Sequence, residues 1–244
     1  MKLRLDACIA QHQGDRKEQQ DRLTLLGHPR FPGVVMAVVA DGMGGHTGGA
    51  LAAEQVVHTL VVNFRQWYGE DPHGLLKESF LEAHAMIKTS RFINEKDPHS
   101  TAVAMILQPP RVFFGHCGDS RMYFFHGNTI QSHTRDHSWI EFMVSEGRMA
   151  PEIAEYHPNR NVLMTSLGGV DDPRIDFDVI EKIESGDNLL LCSDGLWGYF
   201  ENGELGSLIM EGCAHEVSGK LVKMARVRAA GKGDNVSLAL LKFY

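Results

Sequence analysis

The chain has 244 residues, 43% of them hydrophobic and 23% charged, enough for one large domain or two small ones with a sizeable core. Thirty-one acidic against 24 basic residues give a formal net charge of −7, which argues against a nucleic-acid backbone as the main partner. The four cysteines, Cys8, Cys117, Cys192 and Cys213, have no CxxC spacing, which argues against a structural zinc site and fits a reducing cytoplasm.

Residues 1–10 are interrupted by Lys2, Arg4 and Asp6 and hold no signal-peptide core. No stretch of the chain is long and apolar enough to span a membrane, so the expected location is the cytoplasm. The run Val34 to Ala40 (VVMAVVA) is β-branched and too short for a typical helix, which predicts a buried strand. Gly49 to Phe64 and Leu75 to Ile93 have helical patterning. Thr101 to Leu107 and Val112 to Cys117 read as strands joined through Pro109-Pro110, a hairpin order. Met122 to Phe125 continues the meander, with His126-Gly127-Asn128 as the next turn. His137 to Glu146 predicts a helix, followed by a polar, proline-interrupted stretch to about Arg160. Asn188 to Cys192 reads as a buried strand, Glu216 to Val227 as a helix and Val236 to Leu241 as a final strand. Hairpin-linked strands with helices in blocks give an α+β class, with no repeat or linker to divide residues 1–244.

Four aspartates stand out by position. Asp41 ends the first apolar strand and precedes Gly42. Asp119 follows Gly118 after the second hairpin strand. Asp194 follows NLLLCS and precedes Gly195, and Asp234 follows Gly233 at the head of the last strand. One aspartate beside a glycine is an ordinary turn. Four at the lips of strands that share a core can meet at one rim, where their repulsion calls for a cation. Oxygen ligands without a Cys/His set favour Mg²⁺ or Mn²⁺ over zinc. The residues alone reach an oxygen-ligated metal site and stop there.

From Ala40-Asp41-Gly42-Met43-Gly44-Gly45-His46 onward the chain resembles the PP2C-type (PPM) phosphatase family in its bacterial form. Gln13-Gly14-Asp15-Arg16 with Asp21 resembles the opening element, Ser100-Thr101 the threonine segment, and Gly118-Asp119-Ser120-Arg121 the G-D-S-R motif. Thr134 to Ser138, His157 to Asn161, Ser193-Asp194-Gly195-Leu196 and Gly233-Asp234-Asn235 follow in family order. The ordered set covers nearly the whole chain and is far more specific than any one motif.

The resemblance implies a four-layer α-β-β-α sandwich, two antiparallel sheets flanked by helices. It implies a protein serine/threonine phosphatase using two Mn²⁺ or Mg²⁺ ions and a third, weaker one. Asp41 would bridge the two ions, with the Gly42 carbonyl, Asp194, Asp234 and Asp21 completing the shells and Asp119 serving the third. Arg16 would bind the substrate phosphate, and a water activated between the ions would attack phosphorus directly. His46 is a candidate general acid for the leaving oxygen, with a metal-held water as the alternative. The implied partners are phosphorylated proteins and an opposing Hanks-type Ser/Thr kinase; the expected state is a monomer that binds neither nucleic acid nor membrane. A catalytically weak regulatory module and a phosphatase for another substrate class are the competing readings.

The chain departs from the family where Gln20 replaces a glutamate beside Asp21. An amide keeps an acceptor oxygen but loses the charge, so the second ion is expected to bind more weakly. Asp136 and His137 fit a structural or a functional role equally. Arg121 is either a salt-bridge partner in the acidic rim or a substrate contact. Trp139 to Arg160 lies where the family carries a flap beside the active site.

Overall fold

The computed structural model describes residues 3–44, 47–94, 97–154 and 157–244. In chain order the elements are β1 (Leu5–His12), β2 (Arg22–Gly27), β3 (Val35–Ala40), β4 (Gly42–Met43), α1 (Thr47–Gln66), α2 (Pro72–Asn94), β5 (His99–Ser100), β6 (Ala102–Gln108), β7 (Arg111–Cys117), β8 (Arg121–His126), β9 (Thr129–His133), α3 (Trp139–Ser145), α4 (Pro151–Ala154), β10 (Asp176–Ile180), β11 (Asp187–Cys192), α5 (Asp194–Trp197), α6 (Asn202–Ile209), α7 (Ala214–Ala229) and β12 (Val236–Phe243). Two five-stranded antiparallel sheets run in the orders β1-β12-β11-β8-β9 and β10-β7-β6-β3-β2, and β4 pairs with β5 beside them.

Alternation along the strands sorts the core into three layers of contact. In β3, Met36, Val38 and Ala40 face α1 and α2, where they meet Val56, Leu60, Phe64, Leu76 and Phe80. The intervening Ala37 and Val39 face the other sheet and pack with Val103, Met105, Leu189, Leu191, Ala239 and Leu241. On the far side of that sheet, Leu190, Leu238 and Leu240 meet Leu196, Leu205, Val217 and Leu221 of α5, α6 and α7. The order helix, sheet, sheet, helix is the expected sandwich. Its inner strands are covered on both faces and therefore apolar over most of their length. Each fully buried leucine or phenylalanine contributes about 1.5–3 kcal/mol of transfer free energy.

Four strands carried no clear apolar run. β1 and β9 are the edges of one sheet, β2 and β10 the edges of the other. In β1, Asp6 interrupts the pattern because its carboxylate accepts from the Ala214 N–H at 2.8 Å, capping α7. The helix expected from His137 starts at Trp139 instead, because the Ser138 hydroxyl caps it by accepting from the Glu141 N–H. Helix α6 was also unmarked: its two glycines weaken the helical signal, while Leu205, Leu208 and Ile209 bury its inner face. No described helix is long and apolar enough to cross a membrane.

Candidate active site

The strand ends converge on one cleft of about 640 Å³, lined at its centre by Asp41, Gly42, Asp119, Asp194 and Asp234. Asp41 is delivered by β3 and pinned through its backbone. Its N–H donates to Thr101 Oγ1 at 3.2 Å, and its carbonyl accepts from Thr101 N–H at 2.8 Å and Ser100 Oγ at 3.0 Å. Ser100 and Thr101 thus hold the lip on which Asp41 stands. Gly42 packs against the start of α1 so closely that a Cβ would sit 2.0 Å from the Gly49 carbonyl oxygen, so only glycine fits. Asp194 opens α5 directly after β11, and Asp234 precedes β12, the strand paired to β11. Adjacent strands therefore bring together carboxylates 40 residues apart.

Asp21 does not line the cleft. It lies behind the cluster with no solvent exposure, in reach of Asp41, and accepts from the Ser193 hydroxyl at 2.8 Å. Ser193 Oγ accepts in turn from the Ser237 N–H, and Gln11 Nε2 donates to the Asp21 carbonyl and the Ser237 hydroxyl, both at 3.0 Å. Asp21 thus stands at the back of the carboxylate cluster, with its Oδ1 facing no hydrogen-bond partner. Gln20 does line the cleft.

The electrostatics are those of carboxylates crowded together and buried, with Arg16 and Lys17 among the cleft's lining. Burial, and then repulsion from Asp21, Asp194, Asp119 and Asp234, pushes the Asp41 carboxyl well above its usual range. Burial also raises Asp119, ahead of Asp194 and Asp136. Asp194 is raised to about 7 by burial, then by Asp234 and Asp21, and Asp21 to about 6, mainly by burial. Asp21 Oδ1 and Asp194 Oδ1 are buried without a hydrogen-bond partner. Buried acceptor oxygens of this kind, on clustered acids, fit hard divalent cations.

Arg16 is exposed at the rim and ion-paired with Asp234, the contact that most raises its own pKa. The loop that carries it is stitched to the closing D-N pair. Asn235 Oδ1 accepts from the Gln20 N–H at 2.6 Å, and its Nδ2 donates to the Gln13 and Glu18 carbonyls at 2.6 and 3.0 Å. Asp15 accepts from the Gly233 N–H and takes both terminal nitrogens of Arg226 at 2.7 Å. Sequence reasoning named Asn235 only as part of a motif; its organising role follows from an amide able to donate and accept at once.

Arg121 resolves to the salt-bridge alternative. Its guanidinium pairs with both oxygens of Asp136 at 2.8 Å and stacks on the Trp197 ring, 3.6 Å from the centroid. The flap leaves and rejoins the body at one neck, where Ser138 bridges Leu163, Trp139 N–H donates to the Val162 carbonyl, and Met164 N–H donates to the His137 carbonyl. Asn161 and Leu163 of that neck line the cleft, a role the sequence did not mark. His46, the candidate general acid, lies outside the described residues.

A family model for protein phosphatase 2C matches residues 10–215. The chain belongs to the protein phosphatase 2C family. This phosphatase is 30% identical over 221 residues to protein phosphatase PhpP of Streptococcus pneumoniae, covering 86% of each chain. The solved serine/threonine phosphatase of S. agalactiae superposes with a TM-score of 0.90 at 25% identity, over 98% of this chain and 99% of the other. The catalytic domain of the phosphatase PstP, solved with two manganese ions, shares the fold with a TM-score of 0.83 at 24% identity over 99% of each chain.

Proposed function

We propose that this 2C-type phosphatase removes phosphate from phosphoserine and phosphothreonine in proteins, using two divalent ions, Mn²⁺ or Mg²⁺, with room for a third. The carrying observation is the convergence of Asp41, Asp119, Asp194 and Asp234 in one cleft, with Asp194 Oδ1 there and Asp21 Oδ1 behind it buried and unpaired. Asp41, the Gly42 carbonyl, Asp194 and Asp234 would hold the two ions with Asp21 behind them, and Asp119 would serve the third. Bound ions would supply Lewis-acid charge and an acidified water for attack on phosphorus. Asp21 holds Asp41 from behind. Arg16, freed from Asp234 once a cation neutralises that carboxylate, presents a planar fork to two phosphoryl oxygens and orients the group in line. His46 retains its sequence-based candidacy as proton donor to the leaving oxygen.

Phosphoproteins are the substrates that the relatives' names favour, and a Ser/Thr kinase is the partner such a substrate requires. The four free cysteines fit a reducing cytoplasm. Phosphate release from a phosphothreonine peptide, with and without Mn²⁺, tests the reading. Manganese-dependent turnover that vanishes in Asp41→Asn supports it. A folded wild-type protein that releases no phosphate in manganese overturns it in favour of a regulatory module.

A further inference from the structure

Asp119 differs from the other cleft aspartates in how it is held. It stands on the short loop between β7 and β8, after Gly118, whose φ of +100° suits glycine alone. The loop is gripped from two sides. On one side Trp197 Nε1 donates to the Asp119 carbonyl at 2.9 Å. On the other His137 takes both backbone groups of Gly118: its N–H donates to the Gly118 carbonyl at 2.9 Å, and its Nδ1 accepts from the Gly118 N–H at 3.3 Å. Below, Ser120 Oγ lies 2.7 Å from Thr101 Oγ1, the atom that also holds Asp41.

Each gripping side chain is fixed in turn. Trp197 lies under the Arg121 guanidinium, which Asp136 holds through two hydrogen bonds. His137 is stacked on His116, whose Nε2 is 2.7 Å from the Arg135 carbonyl. Because His137 Nδ1 accepts a hydrogen bond from the Gly118 N–H, the ring's own proton belongs on Nε2, which approaches Asp176 Oδ2 to 3.2 Å without hydrogen-bond alignment. His116, His137 and Asp176 lie close enough to suggest a cation cage. The lone pair that a cation would need on His137 is already used by Gly118 on one side and protonated on the other, so the three groups orient a ring instead. Trp197 follows Asp194 by three residues, and Asp136 and His137 stand at the neck of the flap. The loop bearing Asp119 is thus tied to a second cleft aspartate and to the flap.

We infer that Trp197 and His137 are positioning residues: they hold the Gly118–Asp119 backbone from opposite sides so that the Asp119 carboxylate is presented to a cation in the cleft. The inference rests on the proposed metal-dependent function and deepens it.

The test is manganese binding measured by calorimetry, read beside the thermal midpoint of the metal-free protein and the manganese needed for half-maximal turnover. Asp119→Asn sets the effect of losing the carboxylate. Trp197→Phe keeps the ring under Arg121 and removes only the donor; it should weaken the affected binding step about tenfold, with KM for phosphopeptide unchanged. Added to Asp119→Asn, it should cost nothing further, the signature of two residues acting through one group. His137→Asn places an amide oxygen near the Nδ1 position and should bind manganese like wild type, whereas His137→Leu should follow Trp197→Phe. The inference is overturned if Trp197→Phe binds manganese within about twofold of wild type, or if its loss adds in full to that of Asp119→Asn. If Asp119→Asn itself leaves binding unchanged, the ligand role of Asp119 fails, and the positioning role with it.

Discussion

At the floor of the cleft Asp21, Ser193 and Ser237 are fully buried and joined by hydrogen bonds, whereas α3 and α4 of the flap bury none of their residues. Phe142, Ile153, Val162 and Met164 are all exposed on the flap, Ile153 at 61% and Met164 at 58%. The floor is built for fixed geometry: Asp41, Asp119, Asp194 and Asp234 sit at the ends of strands with neighbours on both sides, and Asp21 is held by hydrogen bonds behind them. The flap is attached by a single neck and presents apolar surface outward. Under the proposed function, the fixed floor suits chemistry common to every substrate, and the exposed apolar flap suits discrimination among protein substrates.

The sharpest way to break this contrast is to remove one floor carboxylate. Asp41→Asn should lower phosphate release by more than about 100-fold at saturating peptide, because a bridging ligand has no substitute in the cleft. Metal binding should also report on the floor as stability. Manganese at about 100 times its dissociation constant should stabilise the protein by about 2.7 kcal/mol, a shift of roughly 5–10 °C in a thermal melt. Asp194→Asn should lose most of that shift.

Acid should loosen the junction between floor and flap. Burial, then the facing His116 ring, holds His137 down to about 4 from a usual 6.5. His116 is also lowered by burial. At His137 the unfolded chain therefore binds more protons than the folded one between these values, and this residue's contribution to stability falls as pH drops from about 6.5 toward 4, by up to roughly 3 kcal/mol. The raised carboxyls of Asp194 and Asp21 act in the opposite sense over the same window. The decline is therefore read as a difference: in thermal melts from pH 7 to pH 4.5, wild type should lose stability relative to His137→Asn. A smaller effect is expected at Gln20. Gln20→Glu adds a charge to the cleft lining and should tighten the weaker manganese step by roughly tenfold, or about 1.4 kcal/mol, in a calorimetric titration. The smallest effect on stability belongs to the flap. Ile153→Ser should change the melting free energy by no more than about 0.5 kcal/mol and leave turnover of p-nitrophenyl phosphate unchanged. Its turnover of a phosphoprotein should fall, and equal effects on both substrates would remove the division of labour.

The same contrast explains what could be read from the residues. The six inner strands were marked by apolar runs because helices or a second sheet cover both faces, leaving polar residues such as Arg121, Asn188 and Lys242 mainly toward the strand ends. The four edge strands were not. Asp6 on β1, Arg22 on β2, the polar face of β9 and Asp176 on β10 are charges and polar groups that an edge strand accommodates and needs, since it must not pair further. The aspartates Asp41, Asp119, Asp194 and Asp234 were legible because each closes or opens an inner strand at a glycine. Motif order says nothing of depth; only the folded sheets show that Asp21 lies fully buried behind the cleft lining. The cleft roles of Asn161, Leu163 and Asn235 depend on how distant loops meet, which no local pattern encodes.

The position of β12 has a consequence for the protein's birth. It is the last of the described strands, yet it lies inside its sheet, between β1 and β11, with Asp234 and Asn235 at its head. On the ribosome β1 emerges long before β12 and waits without this partner while the strands and helices between them are made. Asn235 cannot fasten the Arg16 loop, nor Asp234 join Asp194, until β12 has been made and slides into the gap. A growing chain can shape one sheet and most of the helices before its acidic cluster is closed.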